Sequence, residues 1–268
     1  MGRTLVPLAA ARFEIGYSFF SSNQLDVVGG VRLDVRDATA VSRTLTAFTP
    51  DVIIHTVGSN RCDDMTAVIV EGTSNVTTAA RQCHARLIHL STDSIFDGKS
   101  PPYDEDAQPT PVNEYGRAKA QAEQIVKTHP NHVIVRTSLI YGFNEMDHGT
   151  QWMADALQKG QPVTLFNNQF RNPVWVKTLA LACLELAENK YRGVLNVAGR
   201  QRLSRAEFGL RMLDWWQVEP RHTLTIGPSL EGRWPLDCTL DLTRGTAVLQ
   251  TPLLGLDEIY SQQTNTRN

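Results

Sequence analysis

The sequence offers little that would tie it to an oxidising compartment, a nucleic acid or a bilayer. Its 4 cysteines, Cys62, Cys83, Cys183 and Cys238, are widely spaced and form no Cys-x-x-Cys pair. Neither a disulfide framework nor a zinc site is indicated, and a reducing cytoplasm is the expected location. Charge of one sign is also lacking: 26 basic side chains face 28 acidic ones for a net charge of −2, with no polybasic cluster. Without a basic field, neither nucleic acid nor a membrane surface is an expected partner. No apolar run reaches the ~20 residues of a spanning helix. The stretch from Arg3 to Ala11 has a basic residue, a short apolar run and small residues, superficially like a secretory leader. That run is too short, and the chain passes directly into a strand-like pattern. There is no internal repeat and no low-complexity tract.

What is present is a core-forming chain of 268 residues, 41% hydrophobic, long enough for one large α/β domain or one domain with an appendage. Runs rich in β-branched residues predict strands over 13–20, 31–35, 51–57, 86–92 and 132–138. Helix-length segments over 38–48, 66–84 and 113–128 separate them, the first ended by Thr49-Pro50. Near-continuous apolar strands alternating with helices predict an α/β, doubly wound, Rossmann-like parallel sheet. After Gly142 the rhythm changes to a helix over 151–159, a turn at Lys159-Gly-Gln-Pro162, a helix over 175–189 and a strand over 193–197. A further helix begins at Ser204, where Ser204-Arg-Ala-Glu207 has capping-box spacing, and the remainder is turn-rich. The expectation is a first domain over 1–142 and a smaller carboxy-terminal subdomain over 143–268, with some chain crossing back to the first.

Tyr115 and Lys119 lie four apart at the start of a predicted helix, so their side chains share one face. A free phenol, with a pKa near 10, exchanges protons poorly at neutral pH; an ammonium beside it would lower that value and let it serve a carbonyl or an alcohol. Ser91-Thr92-Asp93 ends a strand 23 residues upstream of Tyr115. In a doubly wound sheet the carboxyl ends of strands line the ligand crevice. A hydroxyl there can address the same substrate oxygen as the phenol.

At these residues the chain resembles the extended short-chain dehydrogenase/reductase family, and within it the dTDP-4-dehydrorhamnose reductase group. The resemblance spans nearly the whole chain. It rests on Leu90-Ser-Thr-Asp-Ser-Ile-Phe-Asp-Gly98, Tyr103-Asp-Glu105, Pro109-Thr-Pro111, and Asn113-Glu-Tyr-Gly-Arg-Ala-Lys119 with Glu123. Arg136-Thr-Ser-Leu-Ile-Tyr-Gly142, Asn168-Gln-Phe170 with Pro173, and Arg233 with Pro235 before Leu240-Asp-Leu242 extend it. The resemblance implies an NADP- or NAD-dependent reductase of a nucleotide sugar, the first domain holding the dinucleotide and the subdomain the substrate. Tyr115 would be the general acid, Lys119 the residue that holds the nicotinamide ribose, and Thr92 the hydroxyl that orients the substrate carbonyl. Gly2, Asp34, Val35, Thr56, Val57, Gly58, Ser91 and Thr137 would line the cofactor. Asp93, Asn168, Gln169, Phe170, Arg171 and Arg233 would meet the substrate, Arg233 at a diphosphate. An epimerase using the same Tyr and Lys stays open, as does a homodimer. A dehydratase does not fit, because Ser94 stands where that chemistry has a glutamate.

The family's first strand and its Gly-x-x-Gly-x-x-Gly turn have no counterpart here, Gly2-Arg3-Thr4-Leu5-Val6 matching the last glycine and the helix after it. Two readings follow: Met1 is a misassigned start, or the chain is a truncated relative with weakened cofactor binding. With Ile69 in place of a frequent family asparagine, the second reading extends to a non-catalytic regulatory protein on the same fold. Without that strand, the strands on either side of it would be unable to pair. The strand ending at Tyr17-Ser-Phe-Phe-Ser21 has no acid for a ribose 2′-hydroxyl and no arginine nearby in sequence for a 2′-phosphate, and Ser21 or Ser22 suits either. The missing acid tilts the expectation towards NADP.

The remaining constellations point to structure. His129-Pro-Asn-His132 predicts a turn, since the proline breaks the helix between the histidines. Asp104-Glu105-Asp106 reads as a solvated loop, Trp215-Trp216 as packing or interface, and His55 as an interior histidine with a hydrogen-bond partner.

Overall fold

Uninterrupted β-branched runs become strands, and the polar-flanked segments between them become helices with side-chain caps. The computed structural model describes the chain except for residues 22, 24, 26, 59–63, 231–233 and 268. In chain order the first half runs α1 (Gly2–Ala10), β1 (Tyr17–Phe19), β2 (Gly30–Arg32), α2 (Ala38–Phe48), β3 (Val52–His55) and a π-helical turn over Ala67–Glu71 that continues into α3 (Gly72–Gln82). It continues through β4 (Arg86–Leu90), α4 (Glu114–Lys127) and β5 (His132–Arg136). The second half adds β6 (Ile140–Tyr141), α5 (His148–Gln158), β7 (Val163–Phe166), β8 (Phe170–Arg171), β9 (Val174–Trp175) and α6 (Val176–Glu188). It ends with β10 (Gly193–Asn196), β11 (Leu203–Ser204), α7 (Arg205–Trp215), β12 (Leu224–Gly227), α8 (Thr243–Val248) and α9 (Leu256–Arg267).

The central sheet is parallel throughout, in the order β10–β5–β4–β3. Because side chains alternate along a strand, β4 and β5 feed two cores. Ile88, Leu90, Val133 and Val135 pack with Leu5 of α1 and with Leu179, Cys183 and Leu186 of α6. Leu87 and Ile134 pack on the opposite face with Val41 of α2, Val76 and Ala80 of α3, and Val126 of α4. Helices cover both faces, as a doubly wound sheet requires. The second half contributes β10 to this sheet, paired in parallel with β5. Cys83, Cys183 and Cys238 are free thiols, and no helix among the described residues is long and apolar enough to cross a membrane.

Strands β1 and β2 pair in parallel as a separate two-stranded sheet, and one edge of β3 has no hydrogen-bonded strand neighbour among the described residues. The strand expected over 13–20 is reduced to Tyr17–Phe19, since α1 and the turn after it take the preceding residues and only β2 supplies a ladder.

The supposedly turn-rich carboxy-terminal segment contains β12, paired in parallel with β7, and the helix α9. The polar run Ser261-Gln-Gln-Thr-Asn-Thr266 hides α9 from a periodicity reading. Leu256 and Ile259 nevertheless anchor it against Phe143, Phe208 and Trp215. The 104–106 segment is likewise not simply solvated: Glu105 is buried, and its Oε1 accepts the Asn196 amide at 3.0 Å.

Candidate active site

The caps set where the chemistry stands. Asn113 accepts the Gly116 amide at 2.8 Å and starts α4 at Glu114. Gly116 then leaves no room for a Cβ against the Ser94 carbonyl. This close approach lays the first turn of α4 on the end of β4 and brings the Tyr115 phenol to the Thr92 hydroxyl. Thr92 accepts the Ser94 amide at 3.2 Å, which fixes the hydroxyl at the carboxyl end of the strand. One turn further along α4, the buried Lys119 Nζ donates to the Leu90 carbonyl at 2.5 Å and lies 3.3 Å from His89 Nε2. Thr92 and Tyr115 therefore meet at the carboxyl end of β4, while Lys119 lies one turn along α4 with its ammonium on the Leu90 carbonyl. Gly58, at a φ of +141°, adjoins them, and a Cβ there would sit 3.6 Å from Lys119 Nζ.

The electrostatics differ from the sequence expectation in one respect. The Tyr115 phenol is pushed up to about 12, first by burial and then by the Asp93 carboxylate, against the opposing Thr92 hydrogen bond. It is not lowered by Lys119, whose ammonium is turned onto the Leu90 carbonyl and is itself pushed down to about 8 by burial. An ammonium only donates, so His89 Nε2 accepts from it and the ring proton sits on Nδ1, which has no partner among the described residues. His55 stands beside His89 across the β3–β4 register, its ring 5.3 Å away, and its Nε2 is paired with Thr73 Oγ1 at 3.2 Å. Burial and the neighbouring Lys119 keep both rings well below the usual imidazole range.

Beneath this edge lies a buried ion pair. Glu123 accepts from Arg136 Nη2 at 2.9 Å and Nε at 3.1 Å, and from the Ser91 hydroxyl at 2.6 Å. Ser91 therefore faces the ion pair as part of the support of the site. Thr137 donates to the Val197 carbonyl at 2.7 Å and ties β5 to the chain after β10.

The other expected residues divide. Gly2 opens α1 with nothing within 4 Å of where its Cβ would lie. Thr56 and Val57 follow β3 half-buried. Val35 packs its side chain on Gly72 of α3. Asp34 is held by Arg36, whose guanidinium lowers the Asp34 carboxyl below its usual range. Arg36 also reaches over the Phe20 ring at 5.9 Å, and Arg32 Nε donates to the Phe20 carbonyl at 3.1 Å. The end of β1 thus does have arginines beside it, brought by the parallel neighbour and invisible in the local sequence.

Among the substrate residues, Asp93 is buried and accepts from Ser138 at 2.6 Å, with Arg171 Nε 3.5 Å away. Arg171 is engaged within the fold. Its buried guanidinium donates to the carbonyls of Phe170, Leu236 and Pro235 at 2.7, 3.0 and 3.0 Å, so it clamps the fold and presents no free fork. Asn168 is bonded both ways to the Ser229 backbone. Phe170 carries the Arg202 guanidinium 3.5 Å from its ring centroid. Gln169 is buried, and its Nε2 has no acceptor among the described residues. Arg233 lies outside the described residues. Sequence reasoning passed over Arg205, which opens α7 beside Gln169; its only local signal was the capping box around it.

Two open surface clefts, one between α2 and α3 and one beside Tyr103, include neither Thr92, Tyr115 nor Lys119. Among the described residues no cluster of ligating side chains could hold a metal.

With this geometry in place, comparison with known proteins is informative. A family model described as the RmlD substrate binding domain matches residues 8–247. Methionine adenosyltransferase 2 subunit beta of Xenopus tropicalis is 30% identical over 230 residues, covering 77% of this chain and 69% of that protein. A protein of Haloferax volcanii named "Probable low-salt glycan biosynthesis reductase Agl14" is 30% identical over 197 residues, covering 68% of this chain and 65% of that one. The crystal structure of a hypothetical dTDP-4-dehydrorhamnose reductase from Sulfolobus tokodaii superposes with a TM-score of 0.80 at 27% identity, over 96% of this chain and 93% of the other.

Proposed function

This chain belongs to the RmlD substrate binding domain family, and on that premise we propose that it is an NAD(P)H-dependent reductase of a nucleotide-activated 4-keto-6-deoxy sugar. The observation that carries the reading is the convergence of the Thr92 and Tyr115 hydroxyls at the carboxyl end of β4, with Lys119 one turn along α4. A reductase named among the relatives supports the reaction class.

The residues fit a nicotinamide ribose at this edge. Lys119 has three ammonium donors, of which the Leu90 carbonyl and His89 take two. The third is available on the side where Gly58 has no side chain. The dinucleotide would lie over residues 1–142 and the sugar nucleotide against residues 143–268. A bound reduced nicotinamide would supply the hydride. The protein's own part is proton delivery and orientation. Thr92 and Tyr115 direct two hydroxyls at the substrate carbonyl oxygen, and a phenol held near 12 stays protonated at neutral pH. Tyr115 is therefore in the form that donates, as reduction requires, and it gives its proton to the oxygen as negative charge develops there.

A second reading, a non-catalytic binding protein on this fold, draws support from the relative named as a methionine adenosyltransferase subunit. One experiment separates them. The reductase reading expects oxidation of NADPH with a dTDP-4-keto-6-deoxy sugar, and a drop of about 10²- to 10⁴-fold in turnover on Tyr115→Phe. Turnover unchanged in the variant removes Tyr115 from the mechanism, and dinucleotide binding without any turnover favours the second reading.

A further inference from the structure

Beside the segment expected to meet the sugar nucleotide, the first residue of α7 carries a guanidinium that no described residue engages by hydrogen bond or ion pair. Strands β8 and β11 pair antiparallel, with Leu203 opposite Arg171 and Ser204 opposite Phe170. The ladder runs one residue further, since the Arg205 amide donates to the Gln169 carbonyl at 2.8 Å. Alternation along the ribbon puts Gln169, Arg171, Leu203 and Arg205 on one face.

On that face two donors lack acceptors. Among the described residues the buried Gln169 Nε2 has none, and the Arg205 guanidinium makes no hydrogen bond or ion pair with any of them. Burial and the adjacent Arg171 push the Arg205 pKa down, opposed by Asp147 and Asp93. Neither carboxylate is free to pair with it. Asp93 is taken by Ser138 and Arg171, and Asp147 caps α5 through the Gly149 and Thr150 amides and the Thr150 hydroxyl. The α7 terminus is already capped reciprocally by Ser204 and Glu207, so Arg205 is not needed there. The bland alternative is a stem packed on Phe208, whose ring lies 6.0 Å away.

We infer that Arg205, seconded by Gln169, binds the diphosphate of the nucleoside diphosphate sugar, a role the sequence had suggested for Arg233, which lies outside the described residues. This rests on the reductase reading given above. A guanidinium fork and an amide NH₂ match an oxygen-rich dianion, which supplies the acceptors both donors lack.

Isothermal titration of the full chain with dTDP, and separately with thymidine, tests it. Arg205→Gln is expected to weaken dTDP binding by about tenfold or more and to leave thymidine binding unchanged. Arg205→Lys is expected to recover part of the loss, restoring charge without the fork. The melting temperature of Arg205→Gln should not fall, because an uncompensated cation beside Arg171 is removed. Equal dTDP affinity in Arg205→Gln and wild type overturns the inference, as does an equal loss for dTDP and thymidine. Wild-type protein that binds neither ligand overturns the functional reading itself, and this inference with it.

Discussion

At the carboxyl ends of β4 and β5, and at the ends of β1 and β2, the protein places the same chemical device, an arginine paired with a carboxylate, in opposite surroundings. Arg136 and Glu123 are 1% and 0% exposed, beneath strands whose residues are almost all buried. Arg36 and Asp34 are 31% and 33% exposed, beside strands of three residues, of which β2 is exposed throughout. The first pair has no water to fall back on, so each partner depends on the other; the second exchanges a contact for hydration at little cost. The comparison teaches that the edge proposed for proton transfer has a rigid foundation, whereas the edge proposed for the adenosine end is held by surface contacts.

The most direct way to break this contrast is Glu123→Gln. It leaves the Arg136 charge buried and unpaired and is expected to destabilise the protein by about 3–5 kcal/mol, read from urea melts. A loss near zero would mean that the foundation is not what it looks to be.

A smaller effect, with a sign set by pH, is expected at Lys119. Its folded-state value is about 8 against an ordinary 10.5. The cost of burying the charge is therefore fully present below about pH 8. It is relieved as pH rises from about 8 to 10.5, where the unfolded chain binds more protons. Lys119→Met removes that titration, so the stability of wild type relative to the variant should rise between pH 7 and pH 10. A pH-independent difference would contradict burial as the cause.

The smallest effect belongs to Arg36→Ala. Stability should not change measurably, while the Asp34 carboxyl, relieved of its partner, should titrate closer to its usual value by NMR. A large loss of stability there would erase the distinction between the two edges.

Much of the frame was legible because it depends on consecutive residues. The helix over 38–48 is found with the expected bounds. Asn113 and Ser204 cap the helices they were expected to start, the second with both halves of its capping box. The turn at His129-Pro-Asn-His132 forms, with His132 Nδ1 2.5 Å from the His129 carbonyl. The helix that carries both Tyr115 and Lys119 was legible from their spacing and the cap before it. What failed to show was partnership across the chain. Arg171 looked like a ligand because nothing near it in sequence reveals that Pro235 and Leu236, more than sixty positions away, take its donors. Arg32 and Arg36 reach Phe20 only because β2 lies parallel to β1. The raised Tyr115 pKa comes from burial and from Asp93, neither of which spacing can express.

Periodicity, capping residues and near-continuous apolar runs therefore sufficed for the α/β frame, since these follow from rise, turn and alternation along a single chain. Packing decided which cations are engaged and which stand without an acceptor, which face of Lys119 is used, and whether the phenol holds its proton. Those properties are set by desolvation and by partners from distant segments, and they come into being only when the segments meet.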